Sequence, residues 1–338
     1  MKNKREKTNR INVAIVGPGN YARVIISKLI VSEYYKISWC VHYQKERAEQ
    51  FAATYNCTGC DDLELPLTDP SVDAVFIMTP HDSHFELAKR ALQANKHVFI
   101  EKPMTNTVQE ANELGKMISK QNIIFMVGHN YRRKNGIRFI KQLLENGKLG
   151  DPVHFEMVIS HGGAFNLDDL SWRNDPQRCL GGPLSILGSH SFEVLQYLLG
   201  EPATIYSSNH CSQALSDAVD ASVSLLKMKK GATAVLTHYY IVPSLGYLRV
   251  EGTEGTATYE IDSNEVILRT GRDINCIPAP TERYTLAALD DRLEQVVEFA
   301  RAIAGKGEIE TDFSTAYPVV KFIEKAMEST LSDKVVTF

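Results

Sequence analysis

Ile11-Asn12-Val13-Ala14-Ile15-Val16-Gly17-Pro18-Gly19-Asn20-Tyr21-Ala22 decides the fold. Ile11, Val13, Ala14, Ile15 and Val16 make a short apolar run rich in β-branched residues, as a parallel strand covered on both faces requires. Gly17 and Gly19 then let the chain turn sharply and let a pyrophosphate approach bare backbone. Ala22 sits where a third small residue lets a helix pack close to the strand. The N-terminus of that helix offers free N–H groups and a positive dipole end to phosphate. A G-x-G-x-x-A pattern gains force from this setting, after a strand and before a helix.

Outward from it, helical and extended patterns alternate. The spacing predicts helices over 21–31, 46–55, 85–93 and 107–120, the last opened by the capping box Thr107-Val108-Gln109-Glu110. Strands are expected over 36–41, 72–79, 97–101 and 123–127. Such alternation builds βαβ units around a parallel sheet, and ligands bind outside the carboxyl ends of its strands. Those ends are Gly17 to Gly19, His42, Thr79-Pro80, Glu101-Lys102-Pro103 and the run Gly128-His129-Asn130-Tyr131-Arg132. A dinucleotide fold usually sets a carboxylate on the ribose 2′-hydroxyl at the second of these. Here the stretch is Val41-His42-Tyr43-Gln44-Lys45. With no acid present, His42 or Lys45 faces a 2′-phosphate, which leans the cofactor from NAD to NADP. Gln44 or backbone groups binding either form is the alternative.

Beyond residue 150 the character changes. Strands are expected over 153–160, 205–211, 221–228, 232–240, 247–251, 256–261 and 266–270. Short turns such as Lys229-Lys230-Gly231 join several of them, which suits antiparallel pairing. A glycine turn followed by a helix lies within 172–200. Helices over 290–304 and 315–332 close the chain. The fold class is therefore α/β plus α+β. A Rossmann dinucleotide-binding domain (1–130) precedes a substrate-binding and oligomerisation domain (131–338) with an open, mainly antiparallel sheet.

The chain has 338 residues, 43% of them hydrophobic and 23% charged, with net charge −4. No basic field points to nucleic acid. No apolar run reaches the ~18 residues of a membrane span. Residues 1–10 are basic but lack the apolar centre of a signal peptide. The six cysteines do not make a disulfide framework in a chain this long, and a cytoplasmic location is the expectation. Cys57-Thr58-Gly59-Cys60 has no second pair to complete a zinc site and reads as two incidental thiols. His81-x-x-His84 likewise gives no metal site.

Two residues carry chemistry. Lys102 follows a strand and precedes a proline that fixes the turn, so its ammonium can hydrogen-bond a substrate hydroxyl and shuttle a proton. His190 stands at the start of a helix after the glycine turn, and an imidazole suits general base work on an alcohol. Glu193, one turn on, is placed to orient that ring. Trp172-Arg173 precedes the glycines, and Arg173 suits a sugar oxygen or phosphate.

These motifs together resemble the glucose–fructose oxidoreductase / inositol dehydrogenase / rhizopine catabolism (Gfo/Idh/MocA) family over nearly the whole chain. The likeness rests on Glu101-Lys102-Pro103 after Lys96-His97-Val98-Phe99-Ile100. It rests also on Thr79-Pro80 with His84, Asn130 and Arg132, Trp172-Arg173, Gly181-Gly182, Gly188, His190 and Gly252-Thr253-Glu254-Gly255. The resemblance implies an NAD(P)-dependent oxidoreductase acting on a sugar, cyclitol or polyol, as a homodimer or homotetramer packed through the open sheets. It implies cofactor contacts at Gly17, Gly19, Asn20, Tyr21, His42, Tyr43, Thr79, Pro80, His84, Glu101, Lys102 and Asn130. Substrate contacts fall on Lys102, Arg132, Trp172, Arg173, position 186 and His190, with Lys102 and His190 catalytic. The chain departs from the pattern at Ile186, where the family usually has an aspartate, at Glu193 in place of aspartate, and in a glycine triplet reduced to two. Asp168, Asp169, Asp175 or His161 are candidates to compensate. Two rival readings are a non-catalytic NAD(P)H sensor or scaffold, and a lyase or glycosidase using the cofactor transiently.

Overall fold

The computed structural model describes residues 10–166, 171–212, 218–271 and 280–338. The chain begins with alternating strands and helices. These are β1 (Ile11–Val16), α1 (Asn20–Ser32), β2 (Tyr35–Val41), α2 (Lys45–Tyr55), β3 (Thr58–Cys60), α3 (Glu64–Thr68), β4 (Ala74–Ile77), α4 (His84–Gln93), β5 (His97–Ile100), α5 (Val108–Ile118) and β6 (Phe125–Val127). The six strands are parallel, in the order β3-β2-β1-β4-β5-β6. This is the doubly wound Rossmann order, with its reversal between β1 and β4. Val13, Ala14, Ile15, Phe76 and Phe99 are fully buried, as strands covered on both faces must be.

The chain continues through α6 (Asn135–Glu145), β7 (Pro152–Ser160), α7 (Ser189–Leu199), β8 (Pro202–His210), β9 (Ala221–Met228), β10 (Thr233–Tyr239), β11 (Leu245–Gly252), β12 (Gly255–Glu260), β13 (Glu265–Thr270), β14 (Thr281–Thr285), α8 (Asp291–Ile303), α9 (Phe313–Ser332) and β15 (Val336–Thr337). The second sheet runs β14-β13-β12-β11-β7-β10-β9-β8-β15. Its pairs are antiparallel except β7 with β10, which are parallel. One face packs Phe155, Met157, Leu226, Leu236 and Val250 into a core with Ile137 and Ile140 of α6, Phe192 of α7 and Phe322 of α9. The Phe192 and Phe322 rings stack at 4.3 Å. Strand alternation sends Val223 and Leu225 to the other, exposed face.

Helices α3 and α6 and strands β3, β14 and β15 are additions to the sequence-based expectation. The strand β3 carries neither β-branched enrichment nor alternation. It exists because β2 offers an open edge, and because Gly59 lies where a Cβ would come within 2.6 Å of the Ala48 carbonyl oxygen.

Two compact units emerge. One comprises Met1–Thr105, Gln109–Gly128 and Arg292–Ser314; the other comprises Asn106–Val108, His129–Asp291 and Thr315–Phe338. A single division at residue 130 therefore differs from these units: the first ends at Gly128, Asn106–Val108 falls in the second, and, the largest difference, Arg292–Ser314 belongs with the first sheet. The cause is apolar. Val296, Phe299 and Ala300 of α8 complete the core around Phe76 and Phe99, and the Tyr35 hydroxyl donates to the Val296 carbonyl at 2.5 Å. The Thr311 hydroxyl likewise donates to the Val127 carbonyl of β6 at 2.8 Å.

Candidate functional site

In the first unit the expected cofactor residues gather at the carboxyl ends of the strands. Gly17 has φ +83°, and a Cβ there would meet Thr79 Cγ2 at 2.5 Å. Only glycine lets the turn after β1 lie against the loop after β4. Gly19 is the N-cap of α1; no side chain caps it and the first turn holds no acid. A Cβ on Gly19 would meet nothing within 4 Å. A helix N-terminus with no side-chain cap, beside open space, fits a dinucleotide pyrophosphate. Asn20 is exposed, and the Arg292 guanidinium lies 6.0 Å from the Tyr21 ring centre.

After β2 the His42 ring stacks on the exposed Tyr43 ring at 4.5 Å. The Gln44 N–H donates to His42 Nδ1 at 3.0 Å, which leaves the ring proton on Nε2. Burial lowers the His42 pKa, and the Arg47 charge lowers it further. Lys45 lies 4.0 Å from Glu49. Arg47, a second cation near this strand end, was not singled out from sequence. Its signal was available: a basic residue on the first turn of α2.

The loop after β4 is tied to the turn after β5. His84 is fully buried, with Nε2 3.0 Å from the Thr79 carbonyl and Nδ1 2.8 Å from the Pro103 carbonyl. Ser83 Oγ donates to Thr79 Oγ1 at 2.7 Å. His84, expected as a cofactor contact, thus has both ring nitrogens on backbone carbonyls and braces the turn that carries Lys102. Glu101 is buried next to Lys102, whose N–H donates to its Oε2 at 3.4 Å. Burial raises the Glu101 pKa to about 7, against the pull of Lys102 and Arg292. Gly128 leaves room for that carboxyl: a Cβ there would lie 2.8 Å from Glu101 Oε1.

The second unit holds the rest. Asn130 is buried and its Nδ2 donates to Asp291 Oδ2 at 2.8 Å; Lys134 reaches the same oxygen at 3.1 Å. Gly181 and Gly182 both have positive φ, and a Cβ on Gly182 would lie 2.3 Å from the Val219 carbonyl oxygen. A π-helical turn, Leu184–Gly188, follows and carries Ile186; such single turns often mark functional sites. His190 then stands in the first turn of α7, as the spacing predicts. Its ring is stacked on Tyr131 at 4.2 Å. Tyr131 was missed by sequence reasoning, although it lies between the two residues quoted there, Asn130 and Arg132.

Glu193 departs from its expected role. Its Oε1 accepts from the Arg132 guanidinium, both groups being buried. Arg132 also lies over the Tyr197 ring at 4.7 Å. A carboxylate on the buried side of α7 takes the nearest cation, so the i to i+3 spacing did not decide its partner. Trp172 and Arg173 form a short turn in which the guanidinium lies 4.9 Å from the Trp172 ring centre.

Other sequence candidates fall elsewhere. Burial pushes the Cys57 thiol up to about 11 and raises that of Cys60, which disfavours the reactive thiolate. His81 and His84 are neighbours at 5.7 Å, and among the described residues no cluster of His, Cys, Asp or Glu has the makings of a metal site. Asp168 and Asp169 lie outside the described residues. Among the described residues no helix is long and apolar enough to cross a membrane.

A doubly wound sheet with a glycine turn after β1 and a lysine after β5 defines a nucleotide-dependent oxidoreductase scaffold. Residues 11–129 match the family described as "Oxidoreductase family, NAD-binding Rossmann fold". Residues 137–258 match its companion, the GFO/IDH/MocA C-terminal domain. The chain belongs to the Gfo/Idh/MocA family of NAD(P)-binding oxidoreductases. It is 29% identical to scyllo-inositol 2-dehydrogenase (NADP(+)) IolW of Bacillus subtilis, over 79% of this chain and 74% of that one. It is 26% identical to 2,7-anhydro-N-acetylneuraminate hydratase of Escherichia coli, over 77% and 70%. Levoglucosan dehydrogenase, solved with NADH and levoglucosan, shares the fold with a TM-score of 0.88 over 97% of this chain and 99% of that one, at 20% identity.

Proposed function

We propose that this enzyme oxidises a CH–OH carbon of a sugar, cyclitol or related polyol, or reduces the ketone in reverse, with Lys102 and His190 as its proton-transfer groups. The observation that carries this reading is the support built under each of them. Lys102 sits on a turn braced by His84. His190 sits at the head of α7 with its ring stacked on Tyr131. Such fixed side chains suit a reaction that depends on placement. The bound nicotinamide supplies the hydride acceptor. Gly17, Gly19 and the first turn of α1 hold the pyrophosphate. The imidazole of His190 takes the hydroxyl proton, and the Lys102 ammonium stabilises negative charge growing on that oxygen.

NADP is the favoured form. The end of β2 has no carboxylate, and His42, Lys45 and Arg47 stand near it. The NADP(+)-dependent relative IolW supports the same choice. NADPH should therefore raise Tm more than NADH at equal concentration; an equal or reversed order refutes the preference. His190→Ala should cut kcat by about 10²–10⁴ while cofactor affinity holds. Unchanged turnover refutes the assignment.

The relative named as a hydratase favours a second reading, in which the cofactor is reduced and reoxidised within one turnover. Product formation without net NAD(P)H would establish it. For the assembly we infer a homodimer or homotetramer through the outer face of the second sheet, where Tyr206, Val223 and Leu225 are exposed. Light scattering at a monomer mass refutes this.

A further inference from the structure

The buried face of the second sheet is apolar at one end and polar at the other. Across β8, β9 and β10 the register sets Ile205, Leu226 and Ala234 in one row, Ser207, Ser224 and Leu236 in the next, and Asn209, Ser222 and His238 in a third. In the middle row the two serine hydroxyls bond to each other at 2.9 Å. In the third, Asn209 Oδ1, Ser222 Oγ and His238 Nδ1 are buried with no hydrogen-bond partner among the described residues. Two residues beyond His238, the Tyr240 ring stacks on His161 at 4.9 Å, and its buried hydroxyl is in the same condition. Apolar side chains of similar size would cost the fold less at these positions. Polar groups kept at such a cost call for a reason other than stability.

His238 reaches the helix that carries His190. Its Nε2 lies 3.0 Å from the hydroxyl of Ser191, the residue after His190, and both side chains are buried. Burial lowers the His238 pKa to about 3, so the ring is uncharged near neutral pH. A neutral imidazole has one donor and one acceptor nitrogen, and a hydroxyl answers either, so the bond to Ser191 forms in both tautomers. The same ring meets the π-helical turn. A Cβ on Gly188 would lie 3.1 Å from His238 Cε1 and 3.3 Å from Nδ1. Gly188 has an ordinary helical φ of −62°, so this glycine serves the close approach of the ring and not the backbone. No side chain caps α7 at Gly188; the anchor for its first turn comes from β10.

We propose that His238 is a positioning residue for His190: packed against Gly188 and bonded to Ser191, it fixes the head of α7 and with it the direction of the catalytic imidazole. This deepens the proposed function and rests on its assignment of His190. A reacting group displaced by about 1 Å loses up to about a hundredfold in rate, and that is the return on a row of side chains that weakens the core.

Three variants test the link. His238→Leu fills the space without a hydrogen-bonding atom, and Ser191→Ala breaks the same bond from the helix side; should either fail to fold, the other carries the test. His238→Gln keeps a polar atom long enough to reach Ser191. The His190 ring is stacked on Tyr131 at 4.2 Å, so its proton resonances carry a ring-current shift that reports its placement. In NMR spectra of histidine-labelled protein, assigned with His190→Ala, those resonances should move in His238→Leu and Ser191→Ala and stay in place in His238→Gln. With myo-inositol, glucose and sorbitol as substrates, kcat should fall by about ten- to hundredfold in the first two and stay close to the wild type in the third. The NAD(P)H-induced Tm rise should be intact in all three. Resonances that do not move in His238→Leu or Ser191→Ala overturn the proposal. So does a kcat that holds while they move, or a glutamine variant as impaired as the leucine one. If the wild type turns over nothing in the panel, the resonances alone decide: their movement upholds the positioning as the redox reading falls, and their constancy overturns it.

Discussion

Replacing Glu101 by glutamine isolates the electrostatic cost of the turn that carries Lys102. The carboxyl is buried, and burial raises its pKa from 4.5 to about 7. At about 1.4 kcal/mol per tenfold change, ionising it in the fold costs roughly 3 kcal/mol more than ionising it in the unfolded chain. The sign follows from where the protons sit. Below about pH 4.5 both states are protonated and no cost is felt. Between there and about pH 7 the unfolded chain releases its proton while the fold keeps it, so stability falls as pH rises. Above about pH 7 the loss is complete. Glu101→Gln is nearly isosteric and does not titrate. The stability of the wild type minus that of the variant should thus fall by about 3 kcal/mol between about pH 4 and pH 8. The chain has two tryptophans, Trp39 in the first unit and Trp172 in the second. Urea unfolding followed by fluorescence in a Trp172→Phe background therefore reads the unit that holds Glu101. Parallel stability curves for the two proteins across that range would refute a carboxyl raised by burial.

Two glycines of the same turn should fail differently. Gly17→Ala places a Cβ 2.5 Å from Thr79 Cγ2 at φ +83°, and it should lower stability by about 1–3 kcal/mol before any ligand is added. Gly19→Val meets no protein atom and keeps an ordinary φ of −80°, so Tm should hold while the Tm rise with NAD(P)H disappears. Glu193→Ala takes the carboxylate away from the buried Arg132 guanidinium, and thermal unfolding should show a loss of roughly 3–5 kcal/mol. Tyr131→Leu removes the ring stacked on His190. It should lower kcat by about ten- to hundredfold with the NAD(P)H-induced Tm rise intact.

The amino-terminal sheet was legible because its signals are local. A buried parallel strand must be apolar throughout, a phosphate turn must be glycine, and the lysine follows its strand directly. Ile11 to Ala22 and Val98 to Lys102 state all three within short windows. His190 at a helix head was legible for the same reason. What tertiary structure decided involves partners distant in sequence. Residues 292–314 return to the first sheet because Phe76 and Phe99 leave a core that Val296 and Phe299 fill. Glu193 turns to Arg132, 61 positions away, where spacing along the helix offered it His190. His161 and Tyr240 become neighbours only through a parallel strand pairing across 79 residues. Periodicity and turn chemistry report a residue's own conformation. Which side chains share a buried space depends on how whole elements pack, and no window of sequence contains that.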